Sequence, residues 1–552
     1  MTGGQILVNA LISHQVDTIY CVPGESYLPV LDALHDAPSI RTVVTRHEGA
    51  ASYMAEAHGK LTGKPGICFV TRGPGASHAS VGLHTAREDS TPMILFIGQV
   101  ETQFLGREAF QEIDYSQMFG GIAKAVHQVR KAVDLPVVIQ RAFALAVSGR
   151  PGPVVVELPE DILFSMVDQP LSVELFDDSV IPAVVDETEI GSVLKNARQP
   201  IVVVGGSRWS KKGLSDLRKF IHRYRLPVVA GFRRQDLFDN DDPLYIGMLG
   251  LAANPALIKR VSDADVLLVV GSRLSEVTSN GYTLFQKENT SQRLIHLYPQ
   301  PNGLADVYKP YLSIHAPFDE LAEALASLPE PTSCSWTDWA HQARQDYESF
   351  AQIPAVSADH TGVDMGKVVN YLSDHLPVDA IVCNGAGNFS VWVHRFYKYR
   401  QYVSELAPTN GSMGYGLPAA VAAKIRFPDR SVVCFSGDGC FMMYPQELAT
   451  AIQENAAVIL LIVNNGMYGT IRMHQEREYP GRVFGSTLIN PDFVALSKSF
   501  GAHAERVTDF NEFPAAFNRA LDSKKTSVIE LVTDPLQLSP SKRLHPAFTS
   551  EI

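Results

Sequence analysis

Cysteine is scarce in this chain, six in 552 residues, and no two of the six form a Cys-x-x-Cys pair. Cys21, Cys68, Cys334, Cys383, Cys434 and Cys440 mostly stand in apolar surroundings. That is the pattern of buried free thiols in a reducing compartment, so the cytoplasm is the expected location. Basic runs and low-complexity tracts are also missing, and the formal charge of −12 disfavours nucleic acid or an anionic membrane surface as partner. No apolar stretch reaches transmembrane length, and residues 1–15 lack the basic flank and long apolar core of a signal peptide. No strand pattern ends in a Gly-x-Gly-x-x-Gly opening a helix with a ribose-binding acid beyond, which argues against a nucleotide-binding dehydrogenase. What is present is an ordinary globular makeup, 45% apolar and 19% charged, with length for about two to four domains.

The chain is organised around residues 431–470. Residues 431–436 and 456–463 are short apolar runs rich in β-branched residues, as in strands buried on both faces. Between them Leu448 and Ile452 share one helix face. A crossover helix makes two such strands parallel. Each run ends in polar residues, Gly437-Asp438-Gly439 and Asn464-Asn465. Parallel pairing puts both tips on the carboxyl edge, where open α/β sheets bind ligands. A carboxylate and an amide oxygen converging there suit Mg²⁺, which completes its octahedron with water and ligand phosphates. The glycines beside Asp438 let a diphosphate approach the backbone. Each motif alone is also an ordinary turn sequence.

The expected fold class is α/β: three doubly wound parallel-sheet domains of similar size. Residues 1–165 alternate helix and strand patterns, with strands at 18–21, 42–45, 66–70, 93–97 and 154–157 and an Ala-rich helix at 48–62. Residues 165–187 are acidic and aperiodic and read as a linker. A second unit over 186–328 carries strands at 201–204, 228–230, 266–270 and 294–297. Residues 329–363 read as a second linker, and a third unit over 364–540 holds the organising stretch. The first and third units rhyme: strand, glycine-rich turn, helix.

Gly437-Asp438-Gly439 followed after the crossover by Asn464-Asn465 resembles the signature of thiamine diphosphate enzymes. The resemblance extends over nearly the whole chain and is nearest to the acetolactate synthase group. It is carried by Arg46-His47-Glu48-Gly49-Ala50, by residues 71–76 (Thr-Arg-Gly-Pro-Gly-Ala), by Ala109-Phe110-Gln111-Glu112, and by residues 411–420 (Gly-Ser-Met-Gly-Tyr-Gly-Leu-Pro-Ala-Ala). It implies pyrimidine-binding, central and diphosphate-binding domains in that order, with thiamine diphosphate and Mg²⁺ as cofactors. Asp438, Asn465 and the carbonyl of Met467 would hold the metal. Gly24, Gly73, Pro74, Gly387, Asn388, Phe389, Gly411, Met413, Gly439, Cys440, Tyr468 and Gly469 would line the cofactor. Glu48, otherwise a helix-start carboxylate favoured by the dipole, would hydrogen-bond the aminopyrimidine ring, so that the exocyclic imine takes the proton from thiazolium C2. Met413, otherwise a core methionine, would wedge the cofactor into its bent shape.

Several departures bear on the reaction. Asn388-Phe389 stands where relatives carry Gln-His beside the diphosphate, and Phe389 cannot donate a hydrogen bond. Glu25 falls where acetolactate synthases have a small residue and simple 2-oxo acid decarboxylases an acid. Gln111 is the carboligase choice, and Ile471-Arg472 occupy the place of a decarboxylase acid. Lys124 matches a substrate-side lysine of the synthases or is a surface lysine. His474 replaces a pocket-lining Trp. In the central unit, Ile295-His296-Leu297-Tyr298-Pro299-Gln300-Pro301 lacks both acids of a flavin-binding pattern, so no tightly bound FAD is expected. The expected activity is a carboligase or lyase acting on a small-molecule 2-oxo acid, with Glu48, Gln111 and Glu25 as candidate catalytic residues. The alternatives are a non-ligating decarboxylase, a 2-hydroxyacyl-CoA lyase, or a cofactor-binding protein without catalysis. The resemblance further implies a homodimer or homotetramer with Glu48 and Asp438 meeting across a subunit interface.

Overall fold

A computed structural model describes residues 1–171, 188–285, 291–300 and 307–545. Short runs of β-branched and aromatic residues become strands. Eighteen of them form three parallel six-stranded sheets. The first sheet holds β1 (Thr18–Cys21), β2 (Arg41–Val44), β3 (Gly66–Val70), β4 (Met93–Gln99), β5 (Ala125–Gln128) and β6 (Pro153–Pro159). The second holds β7 (Pro200–Val204), β8 (Val228–Ala230), β9 (Tyr245–Met248), β10 (Val266–Val270), β11 (Arg293–Tyr298) and β12 (Leu312–His315). The third holds β13 (Ile381–Asn384), β14 (Glu405–Leu406), β15 (Val432–Gly437), β16 (Ile459–Asn464), β17 (His503–Val507) and β18 (Ser527–Val532). Central strands such as β4 and β6 are buried along their whole length, as expected when helices cover both faces.

The rhyme between the first and third units is topological. Their strand orders, β2-β1-β3-β4-β6-β5 and β14-β13-β15-β16-β18-β17, are the same permutation. The central sheet runs β12-β11-β10-β7-β8-β9 instead. In the first and third sheets the order reverses beside the first strand, between β1 and β3 and between β13 and β15. Ligands of open α/β sheets bind at such a reversal.

The organising stretch folds as its pattern requires. β15 and β16 pair in parallel, with Gly437 beside Val463, so Asp438 and Asn465 leave the sheet at one edge. The crossover includes the helix Glu447–Gln453, whose Leu448 is fully buried while Ile452 packs at the core margin.

The first and third domains share one core. The helix Glu48–Thr62 keeps its expected bounds, closed by Gly63 at φ 69° in the left-handed region that suits a residue without Cβ. It lies against the helix Gly416–Arg426, where Ala419, Ala420, Ala422 and Ala423 let the backbones approach. Gly49, Tyr53, Glu56 and Lys60 form the face turned to the third domain. Tyr444 sits over Gly49. Tyr53 donates to the Met413 carbonyl (3.3 Å), Tyr415 donates to Glu56 (2.6 Å), and Lys60 donates to the Ala407 carbonyl (2.9 Å). Lys60 also pairs with buried Asp89, which accepts from the Thr409 amide at 2.8 Å.

Residues 329–363 are not simply a linker. Thr337–Phe350 is a helix whose Ala340, Ala343 and Tyr347 are buried at i, i+3 and i+7. Tyr347 meets Tyr245 edge-on at 5.2 Å, and Arg344 donates to the carbonyls of Asn240, Asp242 and Tyr245. Its polar outer face gave the segment its linker-like composition. Of the first expected linker, 172–187 lies outside the described residues.

Candidate functional site

At the third sheet's carboxyl edge β15 ends at Gly437, and Asp438 follows, nearly inaccessible to water. Its Oδ1 accepts from the Gly439 amide (2.9 Å), and its Oδ2 accepts from the Gly466 amide (2.9 Å) and Asn490 Nδ2 (2.7 Å). Burial pushes this carboxyl above its ordinary value, with those hydrogen bonds opposing the shift. Among the described residues no lysine or arginine pairs with it.

The loop after β16 brings further oxygens. Gly466 turns at φ 70°, and Asn465 Oδ1 accepts from the Met467 amide at 3.2 Å. The Met467 carbonyl accepts from the Gly469 amide at 3.0 Å and keeps a second lone pair. The loop is braced from outside: Leu488 donates to Gly466, Tyr468 to Ser486, and Met467 bridges Thr487. A buried carboxylate without a cationic side-chain partner among the described residues, beside an amide oxygen and a carbonyl, is a hard-oxygen donor set, and it fits Mg²⁺.

These groups border a cavity of about 270 Å³. All the third-domain residues expected at the cofactor line it: Gly387, Asn388, Phe389, Gly411, Met413, Asp438, Gly439, Cys440, Asn465, Met467, Tyr468 and Gly469. Phe389 packs against bare backbone, since a Cβ at Gly437 would meet its ring at 2.9 Å. Asn388 Oδ1 accepts from Thr470 at 2.9 Å, and Cys440 Sγ accepts from the Gly414 amide at 3.2 Å. Met413 is half-buried, and its carbonyl is the acceptor for Tyr53 of the first domain.

The first-domain candidates gather at the equivalent edge of their own sheet. Glu48 opens its helix, capped by His47, whose Nδ1 accepts from the Gly49 amide at 3.0 Å. The Glu48 carboxylate lies 2.9 Å from His78 Nδ1. His78 in turn lies against the His47 ring, with centroids 4.5 Å apart. Burial, and then His78, hold the His47 imidazole below its ordinary value. Glu25 is 68% exposed and pairs with Arg72 at 3.2 Å. Gly24 lies under Thr71, where a Cβ would come within 2.5 Å. Gly73 and Pro74 begin the helix Gly73–Asp89, and the Gly73 amide donates to the Gln111 carbonyl at 2.9 Å. None of Gly24, Glu25, Glu48, Gly73, Pro74 and Gln111 lines the cavity of the same chain.

Lys124 donates to the carbonyls of Ser148 (2.6 Å) and Arg150 (2.8 Å), a structural tie. Arg472 is buried and paired with Glu476 at 2.8 Å, while Ile471 lines the cavity and His474 stands in solvent. In the central domain Gly205-Gly206 and Gly271-Ser272 face each other across β7 and β10, around a cleft of only about 50 Å³. Arg273, which lines this cleft, pairs with Glu88 of the first domain. Asn490, His78 and Tyr444 escaped the sequence reading. Asn490 stands in irregular chain before Pro491, and nothing in its spacing marks a bond to Asp438.

Three family models match the chain in order. They are the thiamine pyrophosphate enzyme N-terminal TPP binding domain over residues 1–118, the central domain over 188–325, and the C-terminal TPP binding domain over 385–531. The acetolactate synthase large subunit of Parasynechococcus marenigrum is 32% identical over 96% of this chain and 87% of its own length. The acetolactate synthase isozyme 2 large subunit of Escherichia coli is 30% identical, covering 97% of this chain and 96% of its own. A Corynebacterium glutamicum acetolactate synthase large subunit is also 30% identical, over 96% of this chain. With three successive domains matched and likeness running nearly end to end, the chain belongs to the thiamine pyrophosphate enzyme family, in its acetolactate synthase-like group.

Proposed function

We propose that this protein is a thiamine diphosphate- and Mg²⁺-dependent carboligase that decarboxylates a small 2-oxo acid and joins the remaining fragment to a second carbonyl compound. The carrying observation is the third-domain cavity, where buried Asp438, with no lysine or arginine partner among the described residues, borders the same cavity as Asn465 and Met467. When bound, the cofactor supplies a carbanion equivalent at its thiazolium carbon. Asp438, Asn465 and the Met467 carbonyl would hold the metal, the glycine backbone at 387 and 439 would take the diphosphate, and Met413 would pack against the cofactor between its two ends. Glu48 holds a proton against the aminopyrimidine. The acetolactate synthase large subunits among its relatives support an acetolactate-type product.

The Glu48 carboxylate stays outside its own chain's cavity, which supports a homodimer or homotetramer in which Glu48 of one chain serves the Asp438 cavity of another. Phe110, Phe484 and Ile489 are largely exposed in the single chain, which adds to that reading. Among the described residues no helix is long and apolar enough to cross a membrane. All six cysteines are free, which supports a cytoplasmic location.

Glu25, exposed on the same edge as Glu48, favours a second reading, protonation and aldehyde release without ligation. The test supplies the purified protein with thiamine diphosphate, Mg²⁺ and pyruvate and separates the products. Acetolactate is expected. Acetaldehyde alone would reject the carboligase, and no turnover on pyruvate or on larger 2-oxo acids would reject the 2-oxo acid substrate class.

A further inference from the structure

Arg72 stands at the tip of β3 and reaches two carboxylates. Its Nη1 donates to Glu25 Oε1 at 3.2 Å, and its Nη2 donates to Glu160 Oε2 at 2.5 Å. Glu25 follows β1, the neighbour of β3, and Glu160 follows β6 on the far side of β4. The turn that carries Glu25 is tied to the tip of β3. Ser26 Oγ lies 2.9 Å from Thr71 Oγ1, and the Tyr27 hydroxyl donates to the Val22 carbonyl at 2.5 Å. The Glu25 and Arg72 side chains thus leave neighbouring strand tips whose backbones are fixed to each other.

The two acids are held differently. Arg72 is 11% exposed and Glu160 25%, whereas Glu25 faces solvent on the edge that also carries Glu48. An exposed ion pair is weak when two flexible side chains must be ordered to make it. Here Glu160 already holds the guanidinium, so pairing orders only the Glu25 side chain. A guanidinium stays charged and can only donate. Its cation favours the ionised form of a carboxyl beside it. Among the described residues Arg72 is the one cation paired with Glu25.

Glu25 bears on which of two outcomes follows decarboxylation. The fragment left when CO₂ departs carries an electron pair on its former carbonyl carbon. In ligation that pair forms a C–C bond to a second carbonyl, whose oxygen takes up one proton. In release the pair forms a C–H bond with a proton given by an acid, and the fragment leaves as an aldehyde. We propose that Arg72 keeps Glu25 as an ion-paired carboxylate with no proton to give, and so directs the fragment to the second carbonyl. Arg72 is a positioning residue that acts through Glu25. The proposal rests on the carboligase reading above and adds what keeps Glu25 from diverting the reaction.

The test supplies thiamine diphosphate, Mg²⁺ and pyruvate and measures the ratio of acetaldehyde to acetolactate. The proteins are the wild type, Arg72→Gln, Arg72→Lys and the double variant Arg72→Gln/Glu25→Gln. The ratio does not depend on how much of a preparation folds, and Arg72→Met serves as a second neutral replacement. Arg72→Gln is expected to raise the ratio by about 2- to 5-fold. Arg72→Lys, which keeps the charge, returns most of the wild-type ratio. The double variant returns all of it, because an amide is no acid. Calorimetric titration should show thiamine diphosphate bound alike by all of them. An unchanged ratio in both neutral replacements would overturn the proposal, as would a rise that persists in the double variant. A raised KM for pyruvate at an unchanged ratio would also overturn it, since Arg72 would then anchor the substrate carboxylate. Lost cofactor affinity would do the same by placing Arg72 at the cofactor. Wild type that releases acetaldehyde alone would reject the carboligase reading itself, a result distinct from these.

Discussion

The first and third domains carry the same strand permutation and offer a ligand the same reversal point, yet their edges are chemically unlike. At the third edge Asp438 is buried in the wall of a cavity, with amide donors around it. The first exposes Glu25 and His78 to solvent, while Glu48 and His47 are partly covered. Topology therefore chooses where a ligand can sit, and the residues just past the strand tips choose the chemistry. Glycine, Asp and Asn after β15 and β16 make a metal and phosphate end. Glu and His after β2 make a proton-handling end.

That division is sharpest at Asp438. Asp438→Ala removes the only carboxylate of the proposed metal set, and titration should show thiamine diphosphate affinity with Mg²⁺ falling by more than about 100-fold, with activity lost alongside. Retained tight binding would mean that the third edge is not the metal end. Glu48→Gln probes the other edge. It keeps the shape and removes the acid, so turnover should fall by about 10²- to 10⁴-fold while cofactor affinity stays within a few-fold. A parallel collapse of affinity would blur the two roles.

The smallest effect tests the joint between the edges. Glu447 is fully buried, accepts from the Arg46 amide at 3.1 Å and from Thr450, and burial raises its carboxyl to about 7, with those hydrogen bonds opposing the shift. A carboxyl raised on folding favours the native state fully below its unfolded pKa, and that contribution is lost as pH rises to the folded value. Stability should therefore decline between about pH 4.5 and 7 through this group. Glu447→Gln should remove that part of the slope, shifting the melting temperature at pH 8 relative to pH 5 by roughly 2 °C in the variant's favour. An identical slope in both proteins would show that Glu447 does not titrate as its burial implies.

Much of this was readable from local pattern. Asp438 and Asn465 stood out because buried parallel strands are apolar until their tips, so a polar residue there is conspicuous. The helix Glu48–Thr62 showed its ends through an Ala-rich run closed by Gly63. The edge strands β5 and β12 did not show, because half-exposed runs such as Ala125–Gln128 carry His and Gln and lose the apolar signal. The helix Thr337–Phe350 hid behind its charged outer face. Asn490 reaches Asp438, and His360 the cavity, from loops distant in sequence from the strand tips. Only tertiary folding gives such residues their neighbours, and no spacing rule reports them.

The face of Gly49, Tyr53, Glu56 and Lys60 also bears on how the protein is made. A ribosome delivers this helix early and its partner helix only after the whole central domain has been synthesised. At about 5–20 residues per second the wait is on the order of half a minute. A greasy face kept waiting that long invites aggregation, but this one presents a carboxylate, an ammonium and a phenol that water solvates well. The same groups must shed that water when the third domain docks, and Glu56 and Lys60 end with no exposed surface to speak of. The polar seam thus keeps the nascent chain soluble, and it makes the final docking a dehydration step.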